Sequence, residues 1–367
     1  MSAAGAAFSA VDHAHMARAL RLAERGLYAT QPNPRVGCVI AHGAEIVGEG
    51  WHERAGEPHA EVFALRDAGA RARDATAYVT LEPCGLHGRT PPCADALIAA
   101  GIARVVIASE DVFQREGGAV DRLRAAGIVV ESGLMRDAAR ELNRGFFSRV
   151  ERGRPWVRIK LAMSLDGRTA LANGESKWIT GEPAREDVQR WRARSSAILT
   201  GSGTVLADDP RLTVRLASPH ATPLRVVLDR ELRTPRGAHV LDGSVPTVVF
   251  HAAGAKPAHD GFGRVELVAI DLRDGRLDLS QVLGEVGGRG VNELQVEAGP
   301  TLCGALLQSG FMDELLLYTA PVLLGDAARP LLALPALAEM ARRRAFNVID
   351  QRQVGSDWRC LLRPVSA

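Results

Sequence analysis

Apolar residues recur along this chain at two alternating periods, 3.6 and 2. Met16, Leu20, Ala23 and Leu27 follow helical spacing, which predicts a helix over residues 12–28 capped by Asp12. Gln31-Pro32-Asn33-Pro34 ends it, and residues 36–40 and 45–48 read as a hairpin around His42-Gly43. The pattern continues with a helix over 59–70, a strand over 77–81, a helix over 92–100 and a buried strand at 105–107. A helix over 120–126, a strand at 128–130 and a helical stretch ending near Val150 complete this part.

Glu151-Arg152-Gly153-Arg154-Pro155 is short, polar and ends in proline, so a domain boundary is expected there, between domains over residues 1–150 and 155–367. The pattern restarts with an alternating strand over 156–162 and a helix opened by Pro183. Short apolar strands follow at 197–200, 225–229, 247–250, 267–270, 294–297 and 315–318, with two more at the C-terminus. Strands interleaved with helices imply α/β layers and, in the second half, a mostly parallel sheet. Two of these strands run into glycine-rich turns, Gly201-Ser202-Gly203-Thr204 and Gly299-Pro300-Thr301. Either can offer backbone N–H groups to a phosphate or be a tight turn with no ligand.

The chemistry concentrates between His59 and Cys93. His59-Ala60-Glu61 is followed by Glu82-Pro83-Cys84 and, eight residues further, by Pro92-Cys93. One imidazole and two thiolates make a three-ligand zinc set that leaves the fourth tetrahedral position for water. His-x-Glu followed by Pro-Cys is the pattern of zinc deaminases, in which the glutamate moves protons without ligating the metal. A purely structural zinc would need a fourth ligand, and Cys38 is the nearest unused thiol.

Composition narrows the class. The 367 residues are 46% hydrophobic, 24% charged and 5% aromatic, with net charge +2, and lack the basic, aromatic surface that an RNA-editing deaminase needs. Neither a nucleic-acid nor a membrane partner is expected. Five cysteines are too few for a disulfide scaffold, and Cys38, Cys303 and Cys360, among apolar neighbours, read as buried packing residues. Residues 1–11 lack the charged start and apolar core of a signal peptide, and a cytoplasmic protein is expected.

Asn33-Pro34-Arg35-Val36-Gly37, His59-Ala60-Glu61 and the run from Glu82-Pro83-Cys84 to Pro92-Cys93 resemble the bifunctional riboflavin-biosynthesis deaminase/reductase family. So do Ser164-Leu165-Asp166-Gly167-Arg168-Thr169-Ala170, Gly174-Glu175-Ser176-Lys177-Trp178-Ile179-Thr180, Val205-Leu206-Ala207-Asp208-Asp209-Pro210 and Glu297-Ala298-Gly299-Pro300-Thr301-Leu302. The resemblance implies a cytidine-deaminase-like N-terminal domain and a dihydrofolate-reductase-like C-terminal domain. It implies zinc on His59, Cys84 and Cys93, with Glu61 as the catalytic proton shuttle. It implies NADPH at Ala162, Trp178, Thr204, Asp208 and the turn Gly299, Pro300, Thr301, Leu302, Cys303, Gly304 and Ala305. A small phosphorylated pyrimidine substrate would meet Ser176, Arg192, Leu212, Arg215 and Glu297, and a homo-oligomer is expected. Arg192 and Arg215 suit its phosphate, and Glu297 and Lys160 are candidate proton donors for the reduction. The chain departs from the family twice: Gly85-Leu86 stands where Ser-His is usual, with His87 next, and Arg230 replaces a small polar residue. Arg230, with Arg233, is therefore a candidate contact for the 2′-phosphate of NADPH.

Overall fold

The computed structural model describes residues 8–85, 92–111 and 118–365. The chain forms two compact units, Met1–Arg152 and Gly153–Ala367.

In the first, the elements run α1 (Ala10–Glu24), β1 (Gly37–His42), β2 (Glu45–Trp51), α2 (Ala60–Ala68), β3 (Thr76–Leu81), α3 (Cys93–Ala99), β4 (Arg104–Ser109), α4 (Ala119–Ala125), β5 (Val129–Ser132), α5 (Arg136–Leu142) and α6 (Arg144–Arg152). The sheet order is β2-β1-β3-β4-β5; β1 is antiparallel to both its neighbours and β3, β4 and β5 are parallel. Alternate strand residues serve two cores. Cys38, Ile40, Val79, Val105 and Ile107 pack under α2, α3 and α4, while Val39, Ala41, Tyr78, Val106 and Ala108 meet Met16, Ala19 and Leu22 of α1.

Three local expectations are corrected. Ser9, not Asp12, caps α1: Asp12 Nα donates to Ser9 Oγ at 3.1 Å, and Asp12 answers from the third helical position by accepting from Ser9 N at 2.8 Å. The helix also ends at Glu24, short of Tyr28. The helical stretch before Val150 is two helices, separated at Asn143. That side chain pairs like a strand residue with Arg35, accepting from its N–H and donating to its carbonyl, each at 2.8 Å.

In the second unit the order is β6 (Trp156–Met163), β7 (Arg168–Ala170), α7 (Glu182–Arg194), β8 (Ala197–Gly201), α8 (Ser202–Asp208), β9 (Leu224–Leu228), β10 (Thr247–Ala252), β11 (Glu266–Ile270), β12 (Leu272–Arg273), β13 (Arg276–Leu277), α9 (Leu279–Gly288), β14 (Glu293–Val296), α10 (Pro300–Gln308), β15 (Glu314–Thr319), β16 (Arg329–Pro330), β17 (Phe346–Val354) and β18 (Asp357–Pro364). The main sheet runs β11-β10-β9-β8-β14-β6-β15-β18-β17; the strands from β11 to β15 are parallel, and the last two form an antiparallel hairpin. Buried strand runs such as Val226, Val248, Leu294 and Ile159 fill the core. On the opposite face of the sheet, fully buried Arg158 bridges Glu293 and Glu314, each at 2.7 Å, and lies over the Trp191 ring. Cys38 and Cys303 are fully buried as expected, but Cys360 is only half-buried, because β18 has just the edge strand β17 beyond it. Among the described residues no helix is long and apolar enough to cross a membrane.

Candidate functional sites

In the first unit the site is assembled by helix starts. His59 is the N-cap residue of α2, Cys93 is the first residue of α3 behind Pro92, and Cys84 lies in the loop leaving the carboxyl end of β3. Strand β2 sets where α2 begins. Gly48 and Gly50 face α2 so closely that a Cβ would lie 2.3 Å from the Ala64 carbonyl oxygen and 2.4 Å from that of Ala60. The donor atoms of His59, Cys84 and Cys93 thereby come within 4.8 Å of one another. His59 Nδ1 is 3.2 Å from Cys93 Sγ and 3.4 Å from Cys84 Sγ, and the Cys93 N–H donates to Cys84 Sγ at 3.2 Å.

The charge of this cluster fits a divalent cation. A hydrogen bond from Cys93 draws the Cys84 thiol down to about 4 against its burial, with His59 adding to the effect. Cys93 is pushed up by the same bond and by burial, since one negative charge between the sulfurs resists a second. A bound dication removes that resistance and lets both act as thiolates. Cys38 stays in the apolar core and is not among the atoms that meet, so the fourth-ligand alternative has no donor there among the described residues.

Glu61, in the first turn of α2, is 2% exposed, and burial pushes its carboxyl up to about 6. Its Oε2 has no hydrogen-bond partner among the described residues. A buried acceptor left unpaired is costly unless something else uses it, and a proton in transit is such a use. Sequence reasoning passed over His52. Its Nδ1 is 3.1 Å from the Pro58 carbonyl and its Nε2 3.1 Å from Asn33 Nδ2, so the tautomer protonated on Nδ1 satisfies both. Burial lowers its pKa, and its ring stands edge-on to His59 at 5.5 Å. The usable signal was a second histidine just upstream of His59, beside the Asn33-Pro34-Arg35 motif. His87 lies outside the described residues.

In the second unit a cleft of about 1140 Å³ opens at the carboxyl ends of the parallel strands. Gly201 and Gly299 are the N-cap residues of α8 and α10. A Cβ added at Gly203 or Gly299 would meet nothing within 4 Å, so both turns leave backbone open to a close-lying ligand. Ala162, Trp178, Thr204, Asp208, Gly299, Pro300, Thr301, Leu302 and Ala305 line the cleft, as do Ser176, Arg192, Leu212, Arg215 and Glu297. Cys303 and Gly304 do not. The first is packed in the core, and a Cβ on the second would strike the Ala333 carbonyl oxygen at 2.3 Å. The lining holds ten basic and four acidic side chains, a field that favours phosphorylated ligands.

Arg192 is more committed than its sequence suggested. Its Nε and Nη2 fork onto Glu297 at 2.7 and 2.8 Å, and Nη1 donates to the Thr213 carbonyl at 2.9 Å. Gln295 Nε2 also donates to Glu297, at 2.8 Å. Burial alone would raise the Glu297 carboxyl, but the Arg192 guanidinium and Lys160 outweigh it and hold it at about 2. Lys160 is shifted down by burial.

Comparison with known proteins assigns each unit to a class. Residues 9–109 match the cytidine and deoxycytidylate deaminase zinc-binding region, and residues 155–357 match the RibD C-terminal domain. The class is therefore a deaminase domain and a reductase domain in one chain. The riboflavin biosynthesis protein RibD of Escherichia coli is 50% identical over 94% of this chain and 97% of its own length. A solved structure of Acinetobacter baumannii RibD superposes with a TM-score of 0.90 at 44% identity, covering 97% of this chain and 99% of that one. A Thermotoga maritima diaminohydroxyphosphoribosylaminopyrimidine deaminase/5-amino-6-(5-phosphoribosylamino)uracil reductase gives 0.85 at 32% identity over 97% of this chain and 99% of its own. This chain belongs to the RibD family of bifunctional riboflavin biosynthesis proteins.

Proposed function

We propose that residues 1–150 remove the 2-amino group of 2,5-diamino-6-(5-phosphoribosylamino)pyrimidin-4(3H)-one by hydrolysis. Residues 155–367 then reduce the ribose chain with NADPH, giving 5-amino-6-(5-phosphoribitylamino)uracil. The convergence of His59, Cys84 and Cys93 beside buried Glu61 carries this reading.

His59 Nδ1 and the two sulfurs would hold zinc, which when bound activates water at neutral pH. Glu61 takes and returns the proton at its unpaired Oε2, for which a carboxyl near 6 is well matched. His52, kept neutral by burial, and Asn33 present a fixed polar edge beside the ligands.

In the reductase, NADPH when bound supplies the reducing equivalents, and the chain supplies binding and orientation. The turns at Gly203 and Gly299, with Ala162, Trp178, Thr204, Asp208 and Ala305, would hold it. The substrate would lie against Ser176, Leu212, Arg215 and the Arg192–Glu297 pair. Arg215, whose guanidinium has no hydrogen-bond or ion-pair partner among the described residues, takes the phosphate, while Arg192 fixes Glu297. Because Glu297 is held ionised it has no proton to give, which leaves Lys160 as the candidate donor of the two. The reading includes a cytoplasmic homo-oligomer acting on a small molecule, without nucleic acid or membrane.

Zinc content and ammonia release, measured on the same samples, test it. Cys93→Ser should lose both, and a Cys93→Ser protein with full zinc and full ammonia release refutes the ligand set.

A further inference from the structure

We propose that Arg276 selects NADPH over NADH by receiving the cofactor's 2′-phosphate; this rests on reading the cleft as the cofactor site.

Sequence reasoning pointed to Arg230 and Arg233, and the structure shows both sharing one carboxylate. Arg230 pairs with Glu231, and Arg233 Nε lies 3.4 Å from the same side chain. Arg230 Nη1 also donates to the Gly275 carbonyl at 2.5 Å. That bond ties the end of β9 to the turn just before Arg276. The turn is Asp274-Gly275, both at positive φ (51° and 72°), a two-residue hairpin connection between β12 and β13. It presents Arg276 on the cleft wall with Arg230 and Arg233. Arg276 is exposed, and among the described residues its guanidinium has no ion-pair or hydrogen-bond partner. Its cross-strand neighbour Arg273 is engaged instead, with Asp278 at 2.7 Å.

Strand order gives the anion its identity. Lys160 and Glu297 belong to β6 and the end of β14, and the open glycine turns follow β8 and β14. β9 and β10 lie outward from β8, with Arg230 following β9. A dinucleotide with its reacting ring near Lys160 and its pyrophosphate at the glycine turns carries its adenosine towards β9. There an arginine accommodates a 2′-phosphate. Guanidinium donors match phosphate oxygens in pairs, and Arg276 has all of its donors to give.

The test is calorimetric titration of the full-length protein with adenosine 2′,5′-bisphosphate and with 5′-AMP, which differ only in that phosphate. Wild type should prefer the bisphosphate. Arg276→Ser should weaken the bisphosphate by about tenfold to a hundredfold, the scale of a lost charge-assisted contact, and leave 5′-AMP unchanged. Arg276→Lys should recover part of the loss, and Arg273→Ser should show none. The kcat/KM ratio for NADPH over NADH should fall with the bisphosphate affinity. Retention of bisphosphate affinity by Arg276→Ser overturns the assignment, and so does an equal loss of both nucleotides. If wild type binds neither nucleotide, the cofactor reading of the cleft fails first.

Discussion

In the first unit His59, Cys84 and Cys93 bring their donor atoms within 4.8 Å of one another from two helix starts and one strand-end loop. The reductase cleft spreads over about 1140 Å³ and draws its wall from residues between Lys160 and Arg329. The two differ in how function depends on single atoms. Where chemistry is focused on one metal and one proton carrier, each residue has a task that no neighbour shares. Where chemistry resides in a cofactor, the protein's task is orientation. Its strongest side chains then hold one another, as Arg192 and Glu297 do.

The largest effect expected from that contrast is on rate alone. Glu61→Gln should lower deamination by about 10²–10⁴-fold, the contribution of a general acid–base group, with zinc retained. Reduction of substrate already deaminated should be unchanged. Comparable loss of both activities would erase the contrast.

In the cleft the expected effect is on stability together with activity. Arg192→Met leaves the half-buried Glu297 with Gln295 and Lys160 but without its bidentate partner, which should cost about 1.5–3 kcal/mol, read as a lower midpoint in urea unfolding, and abolish reduction. The pair also sets an acid limit. The Glu297 carboxyl is held at about 2 against an ordinary 4.5, so its stabilisation is fully present above 4.5 and lost as pH falls towards 2. Arg192→Met should flatten that part of the stability curve.

A smaller effect is expected where packing places a ligand. Gly50→Ala forces a Cβ to within 2.4 Å of the Ala60 carbonyl oxygen, so α2 must shift. Overpacking of this kind costs about 1–3 kcal/mol, and chelator competition should show weakened zinc affinity through the displaced His59. The smallest concerns the N-terminal cap: Ser9→Ala should destabilise the chain by about 1 kcal/mol in urea unfolding without moving either activity.

The same contrast explains what the sequence made legible. Of the three proposed zinc ligands, His59 and Cys93 stand at the starts of α2 and α3 and Cys84 just past β3, so spacing along the chain reports proximity in space. Strand positions were equally readable, since buried parallel strands are short apolar runs. Arg192 and Glu297 meet from 105 residues apart, and nothing local to Arg192 distinguishes it from a solvated arginine. Asn143 looked like one more helical residue because its partner, Arg35, is 108 positions away. Asp12 looked like a cap because the reciprocal pair with Ser9 places an acidic residue inside the first turn. Arg230 was correctly placed on the cleft, but its engagement with Gly275 depends on a hairpin that sequence reasoning had not assigned.

The most direct measurement is product analysis of purified protein given the diaminopyrimidinone phosphate, with and without NADPH, in wild type and Glu61→Gln. Wild type without NADPH should release ammonia and stop at the deaminated ribosylamino compound; with NADPH it should proceed to the ribityl product. Glu61→Gln should consume the substrate about 10²–10⁴-fold more slowly under both conditions, yet convert supplied deaminated compound at the wild-type rate. A Glu61→Gln protein that releases ammonia at close to the wild-type rate, or that has lost reduction of the supplied compound, would contradict two chemistries held by separate residues.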